Sequence, residues 1–168
     1  MEGHDLNGIL TLRLPHEAPR LKEEVERAST VAVVGGGYIG LEVAEALKNL
    51  GKRVLLFEMM PHVLPTTFDE DMAKLIHEEL TKNGVELHLN EKVVGFKGVN
   101  GHVSKVITEK GEYNVDKVVM GVGVKPDVDL AVKAGAKLGE TGAVWLMSIW
   151  RRQCRMFMRL VMWLKPGA

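Results

Sequence analysis

Residues 30–34 and 53–58 are short apolar runs with almost no polar interruption, the pattern of parallel strands covered on both faces. Between them Ile39, Val43, Ala46, Leu47 and Leu50 recur on one face of a helix over residues 38–50, and Gly51 supplies its terminating residue. Strand, helix and strand are thus complete in fewer than thirty residues. The proline-broken loop 60–65 follows, then a helix over 69–82 with acids at its start, closed by Asn83 and Gly84, and a third strand over 85–89. From residue 92 to 115 the texture changes to short alternating segments cut by Gly98, Asn100-Gly101 and Gly111, which predict an antiparallel meander before a buried strand at 116–120. Ahead of all this, residues 9–13 alternate like a strand, and 17–27, with Leu21 and Val25 four apart, predict an exposed amphipathic helix. The predicted class is α/β: a Rossmann-like βαβ parallel sheet with an antiparallel β-meander crossover.

Composition narrows the chemistry. The 168 residues carry 22 basic and 22 acidic side chains, so no global charge draws the chain to nucleic acid or to an anionic membrane. With Cys154 as the single cysteine, no intramolecular disulfide forms and no zinc spacing exists. His77-Glu78 begins like a metalloprotease helix, but Thr81 stands where the second histidine is needed, and no metal is expected. Residues 1–10 lack a basic start and an apolar run, so a cytoplasmic protein without a signal peptide is expected.

Gly35-Gly36-Gly37-Tyr38-Ile39-Gly40 matches G-x-G-x-x-G. Alone the pattern is weak, but here it joins a strand to a helix, and the acid Glu58 closes the next strand eighteen positions beyond Gly40. Gly35 permits the tight turn, Gly37 lets backbone approach a pyrophosphate, and Gly40 lets helix and strand pack closely. The helix N-terminus then presents unpaired N–H groups and a positive dipole end to the phosphates. Glu58 is placed to accept hydrogen bonds from the adenosine ribose and would repel a 2′-phosphate. The following Met59-Met60-Pro61-His62 offers no arginine or lysine to neutralise one, so NAD(H) is favoured over NADP(H). FAD uses the same fingerprint, and the residues alone leave the two dinucleotides unseparated. A glycine turn that only packs a strand on a helix is the bland alternative.

Taken together, Gly35 to Glu42, Glu58 and Gly121-Val122-Gly123-Val124-Lys125-Pro126 resemble the pyridine nucleotide–disulfide oxidoreductase family, and within it the NADH oxidase and coenzyme A–disulfide reductase branch. The resemblance runs from about residue 5 to 145 and rests on three motifs in the family's order and spacing. It implies a division of the chain into a lead-in from a flanking FAD domain (1–29), an NAD(H)-binding domain (30–126), a return segment (127–145) and an aberrant tail (146–168). It also implies that NADH is the partner, that FAD belongs to the parent enzyme rather than to this chain, and that the parent passes a hydride from NADH to FAD. Cofactor contacts are then expected at Gly35, Gly37, Tyr38, Ile39, Gly40, Glu42, Glu58, Met59, Gly121, Val122 and Gly123. Tyr38 would cover the flavin until the dinucleotide enters, Glu42 would sit by the nicotinamide, and the turn at 121–123 would pass under the cofactor. The plain readings are a helix aromatic, a solvated acid and ordinary turn residues.

The departures from the family are large: no second glycine fingerprint and no redox cysteine precede residue 30, and no interface domain follows 145. The chain is therefore expected to be an NADH-holding fragment without catalytic residues, or a stand-alone NAD-binding or sensing module. After Glu140 no acid occurs, and without Arg151, Arg152, Arg155, Arg159 and Lys165 the remainder holds 17 basic against 22 acidic residues. Arg151, Arg155 and Arg159 would share one helical face, which suits a membrane-surface or partner-binding helix, while the arginines argue against a transmembrane span. A shifted reading frame explains the tail better. Restoring one base after the Trp145 codon allows Leu146 to Trp150 to be re-read as Val-Asn-Glu-Tyr-Met, and Met156 to Lys165 as Asn/Asp-Val-Tyr-Ala-Ala-Gly-Asp-Val-Ala-Glu. That string resembles the family's second flavin-contacting motif, at the family's position for it.

Overall fold

The computed structural model describes residues 1–12, 14–123 and 126–145. The tail 146–168, with Cys154 and the arginine face, lies outside the described residues, as do Val124 and Lys125 of the 121–126 motif. The chain divides into two compact units, Met1–Gly123 and Val124–Ala168.

In the first unit, β1 (Ile9–Thr11), β2 (Thr30–Val34), β3 (Arg53–Phe57), β4 (Val85–His88) and β8 (Lys117–Met120) build a five-stranded sheet in the order β1-β8-β2-β3-β4, every pair parallel. The meander is β5 (Val93–Val99), β6 (His102–Thr108) and β7 (Glu112–Asn114), a separate antiparallel sheet in sequential order. Helices α1 (Ala18–Glu26), α2 (Tyr38–Asn49) and α3 (Glu70–Lys82) connect the parallel strands. The α/β class and the parallel-plus-meander architecture read from the apolar pattern are the ones observed. The lead-in strand β1 hydrogen-bonds along β8, so residues 9–11 share the sheet that carries the glycine turn.

The uninterrupted apolar strands have their cause in three layers. Val31 and Val33 of β2, with Val54 and Leu56 of β3, face Val43, Ala44 and Leu47 of α2. Their chain neighbours Ala32, Val34, Leu55 and Phe57 face Phe96, Val103 and Val106 of the meander. Both sheet faces are therefore covered, which is why no polar alternation survives in these strands. Polar groups hold the strand ends. Asp116 Oδ2 accepts from the N–H groups of Ser29 and Thr30, both at 2.8 Å, locking the start of β2 to the start of β8. Asp69 caps α3 by accepting from Met72 N–H at 3.0 Å.

In the second unit, α4 (Asp129–Lys133) is followed by a tight return. Leu138 and Val144 form an antiparallel bridge, and Gly139 N–H donates to Ala143 O at 2.8 Å.

Candidate dinucleotide site

The C-terminal ends of β2, β3 and β8 meet the N-terminus of α2, the position at which open parallel sheets bind ligands. Gly35 leaves β2 with φ +107, its N–H donating to Phe57 O at 2.8 Å. A Cβ on Gly35 would stand 2.5 Å from Gly121 O, so the two turns touch backbone to backbone. Gly121 N–H in turn donates to Val34 O at 2.7 Å. A Cβ on Gly40 would fall inside the Gly35 carbonyl, which is the close helix–strand packing read from the motif. Gly37 differs. It is the residue preceding α2, in extended backbone that any residue adopts, and a Cβ there would meet nothing within 4 Å. Nothing in the fold demands a glycine at Gly37, while a group pressed against the helix N-terminus would. A bare backbone beside the unpaired N–H groups of the first turn of α2 is the cradle a pyrophosphate fits.

Glu58 is buried, 8% exposed, at the end of β3. Its Oε2 accepts from Gly36 N–H at 2.7 Å and its Oε1 from Met60 N–H at 2.9 Å. One backbone donor on each oxygen fixes the carboxylate plane and leaves lone pairs for further donors. Gly36 occupies an unrestricted position of the G-x-G-x-x-G pattern. In the structure a Cβ on it would lie 3.0 Å from Val63 Cγ1 and 3.1 Å from Glu58 Oε2, so this glycine joins the turn to the acid. The pattern of glycines carries no signal for that contact, because it depends on where the chain returns 22 residues later.

Around this turn the apolar side chains are uncovered: Tyr38 is 60% exposed, Met59 61% and Val122 60%, with Ile39 also exposed. Glu42, one turn beyond Tyr38, is exposed too. Gly121 packs on the start of α2, where its Cβ would be 3.4 Å from the backbone nitrogen of Gly40. Gly123 has φ +89 with open space at its Cβ position. The expected contact residues on β2, β3, β8 and α2 thus share one end of the sheet. The helix flank carries a groove of about 640 Å³ whose lining includes Leu21, Val25, Ile39, Val43 and Leu47; it takes in Tyr38 and Glu42 but none of the glycines 35–37.

The loop after Glu58 is also tied to the turn, a feature not visible in the sequence. Leu64 N–H donates to Gly36 O at 2.9 Å, and Val63 N–H donates to His77 Nε2 of α3 at 3.2 Å. His77 is held below its ordinary value by burial and by the neighbouring His62. Behind Glu58, His88 stacks on Phe57 with ring centroids 4.6 Å apart, and His88 Nδ1 lies 3.4 Å from Glu91 Oε2. Burial pushes the Glu91 carboxyl up, but hydrogen bonds from Thr108 and Tyr113 and the nearby His88 and Lys110 outweigh it and leave it below its usual range. Glu58 N–H donates to His88 O and Glu91 N–H to Glu58 O, each at 2.9 Å, so this cluster brackets the Glu58 peptide.

The model of the pyridine nucleotide-disulphide oxidoreductase family matches residues 1–147. The CoA-dependent NAD(P)H sulfur oxidoreductase of Pyrococcus abyssi is 43% identical over 147 residues, 86% of this chain and 32% of the relative. The NAD-dependent persulfide reductase structure from A. fulgidus is similar at a TM-score of 0.82 and 39% identity, covering 90% of this chain and 28% of that one. The water-forming NADH oxidase of Lactobacillus brevis, bound to NADH, has a TM-score of 0.80 at 28% identity, with 90% of this chain and 33% of that one covered. The chain spans about a third of the length of the curated relatives it matches. Among the described residues no helix is long and apolar enough to cross a membrane.

Proposed function

Because the chain belongs to the pyridine nucleotide-disulphide oxidoreductase family, we propose that residues 30–126 bind NADH and are the NADH-holding part of a larger FAD-dependent enzyme. The observation that carries this is the pairing of an unneeded glycine, Gly37, at a helix N-terminus with a buried carboxylate, Glu58, whose two oxygens are already aimed by Gly36 and Met60. The pyrophosphate takes the N–H groups at the start of α2, and Glu58 accepts from the adenosine ribose hydroxyls. Gly35 and Gly40 hold the turn close enough for both contacts, while Met59 flanks the ribose.

The nicotinamide, when bound, supplies a hydride to the flavin of the complete enzyme. This chain's own residues bind and orient. Tyr38, Ile39 and Glu42 on the first turns of α2 flank the nicotinamide end, and Gly121, Val122 and Gly123 pass beneath it. No residue here is assigned a catalytic role. The family likeness to relatives named for sulfur and persulfide reduction and for NADH oxidation supports an oxidoreductase. A stand-alone NAD-binding module uses the same site residues and differs in having no flavin partner.

Titration of the purified chain with NADH, followed by nicotinamide fluorescence, tests the reading. Saturable binding is expected; a linear, unsaturable response contradicts it.

A further inference from the structure

Leu64 is a buried, non-glycine residue with φ +51. Such a conformation is disfavoured for a residue with a Cβ and persists only where surrounding contacts impose it. The contacts here are few and specific. Leu64 N–H donates to the Gly36 carbonyl at 2.9 Å, and the Leu64 carbonyl accepts from Thr67 and Phe68. The preceding residue, Val63, is fully buried, and its side chain bears on Gly36 beside Glu58. Its N–H reaches out of the loop to α3 and donates to His77 Nε2 at 3.2 Å. An imidazole nitrogen that accepts must be unprotonated, so His77 holds the loop only as the neutral ring with its proton on Nδ1.

We propose that His77 is a positioning residue for the dinucleotide site: its unprotonated Nε2 latches the strained 62–64 loop onto Gly36, and protonation of the ring opens the latch and weakens NADH binding. This rests on the reading of the glycine turn as an NADH site. The loop lies between His77 and Glu58, so releasing it removes both the Val63 contact that backs Gly36 and the hydrogen bond on the Gly36 carbonyl. Gly36 N–H is one of the two donors that aim Glu58.

The titratable group beside the ring is His62 from the loop, which donates toward the Val63 carbonyl at 3.0 Å. On α3 itself Lys74 is occupied by Glu70 and Asp71, and Glu78 is exposed. The side of β4 that packs on α3 is apolar, through Val85 and Leu87 against Ile76 and Leu80. Burial and His62 both disfavour the charged ring, so the neutral, accepting form is favoured and the latch is lost as pH falls through the ring's lowered value.

The test pairs two readouts on the full chain. Two-dimensional amide spectra between pH 7.5 and 5 should show the Val63 and Gly36 N–H resonances titrating with the His77 ring; amides that ignore the ring overturn the latch, whether or not NADH binds. Over the same range NADH affinity should fall roughly tenfold, the effect of orphaning one buried donor. His77→Gln, whose carbonyl can accept from Val63 but does not titrate, should bind NADH with a flat pH profile, and His77→Leu should bind weakly at every pH. His62→Gln should keep the dependence with its midpoint moved upward. An unchanged profile in His77→Gln refutes the assignment. Failure of NADH to bind at any pH would instead sink the cofactor reading, with the amide titration still deciding the latch.

Discussion

Replacing Gly35 by alanine and, separately, Gly37 by alanine should produce opposite phenotypes two residues apart in the same motif. At Gly35 a methyl group would sit 2.5 Å from Gly121 O and 2.8 Å from Gly121 C, about 1 Å inside the ~3.5 Å at which non-bonded contacts become favourable. The turn at Gly121 is itself tied to Val34, so neither backbone retreats freely. Overpacking of this kind costs roughly 1–3 kcal/mol. The φ of +107 adds backbone strain on the order of 1–2 kcal/mol for a residue with a Cβ. Gly35→Ala should therefore lose about 2–5 kcal/mol of stability, a large share of what a domain this size possesses. At Gly37 the methyl meets nothing within 4 Å and the backbone is already extended. Alanine is a poorer helix N-cap than glycine but restricts the unfolded chain, and the two effects offset to within about 1 kcal/mol. The same methyl would occupy the space assigned to the pyrophosphate, so NADH affinity should fall by roughly tenfold or more. Urea unfolding gives the stabilities and fluorescence titration the affinities. A Gly37→Ala variant as unstable as Gly35→Ala, or one that binds NADH like the parent, would refute the division of roles.

Three further outcomes are expected, two from the structure and one from the sequence of the tail. Glu91→Gln should cost roughly 1–3 kcal/mol at pH 7, because it weakens the buried bonds from Thr108 and the pairing with His88. Since the Glu91 carboxyl is held below its unfolded value, its stabilisation is full above the ordinary carboxylate range and is lost as pH falls through the folded value, so the stability difference between parent and Glu91→Gln should shrink on titration from pH 7 towards pH 3; a constant difference would contradict this. The isolated chain, with or without added FAD, should consume NADH no faster than buffer in an absorbance assay, and enzyme-like turnover would end the fragment reading. Sequencing the gene should show that one added base after the Trp145 codon opens a frame spelling Tyr-Ala-Ala-Gly-Asp; an early stop in that frame would return the tail to the surface-helix reading.

The parts of the fold legible in the sequence are those whose cause is local or repeated. Residues 31–34 and 54–57 had to be apolar throughout because α2 covers one face and the meander the other, and that burial leaves a direct trace in composition. Gly35 and Gly40 were legible because a turn of this kind tolerates no side chain there. The links that aim Glu58 left no trace: its bond to Gly36 spans 22 positions, and the partners that bracket its peptide, His88 and Glu91, lie 30 and 33 residues beyond it. The loop 60–65 read as irregular from its prolines, yet the left-handed Leu64 and the His77 acceptor depend on how α3 packs, which no periodicity records. Residues 9–11 alternate like any edge strand, and only the folded chain pairs them with 118–120.

The ratio of NADPH to NADH dissociation constants, measured in the parent chain and in Glu58→Ala, tests the central claim most directly. Charge-assisted hydrogen bonds from Glu58 to the ribose are worth about 1.5–3 kcal/mol, and the same carboxylate repels a 2′-phosphate. The parent should favour NADH by roughly tenfold or more, and Glu58→Ala should weaken NADH while leaving NADPH equal or improved, so that the ratio collapses towards one. Equal affinities in the parent, or a variant in which both dinucleotides weaken together, would contradict the assignment of this turn and this carboxylate to NADH.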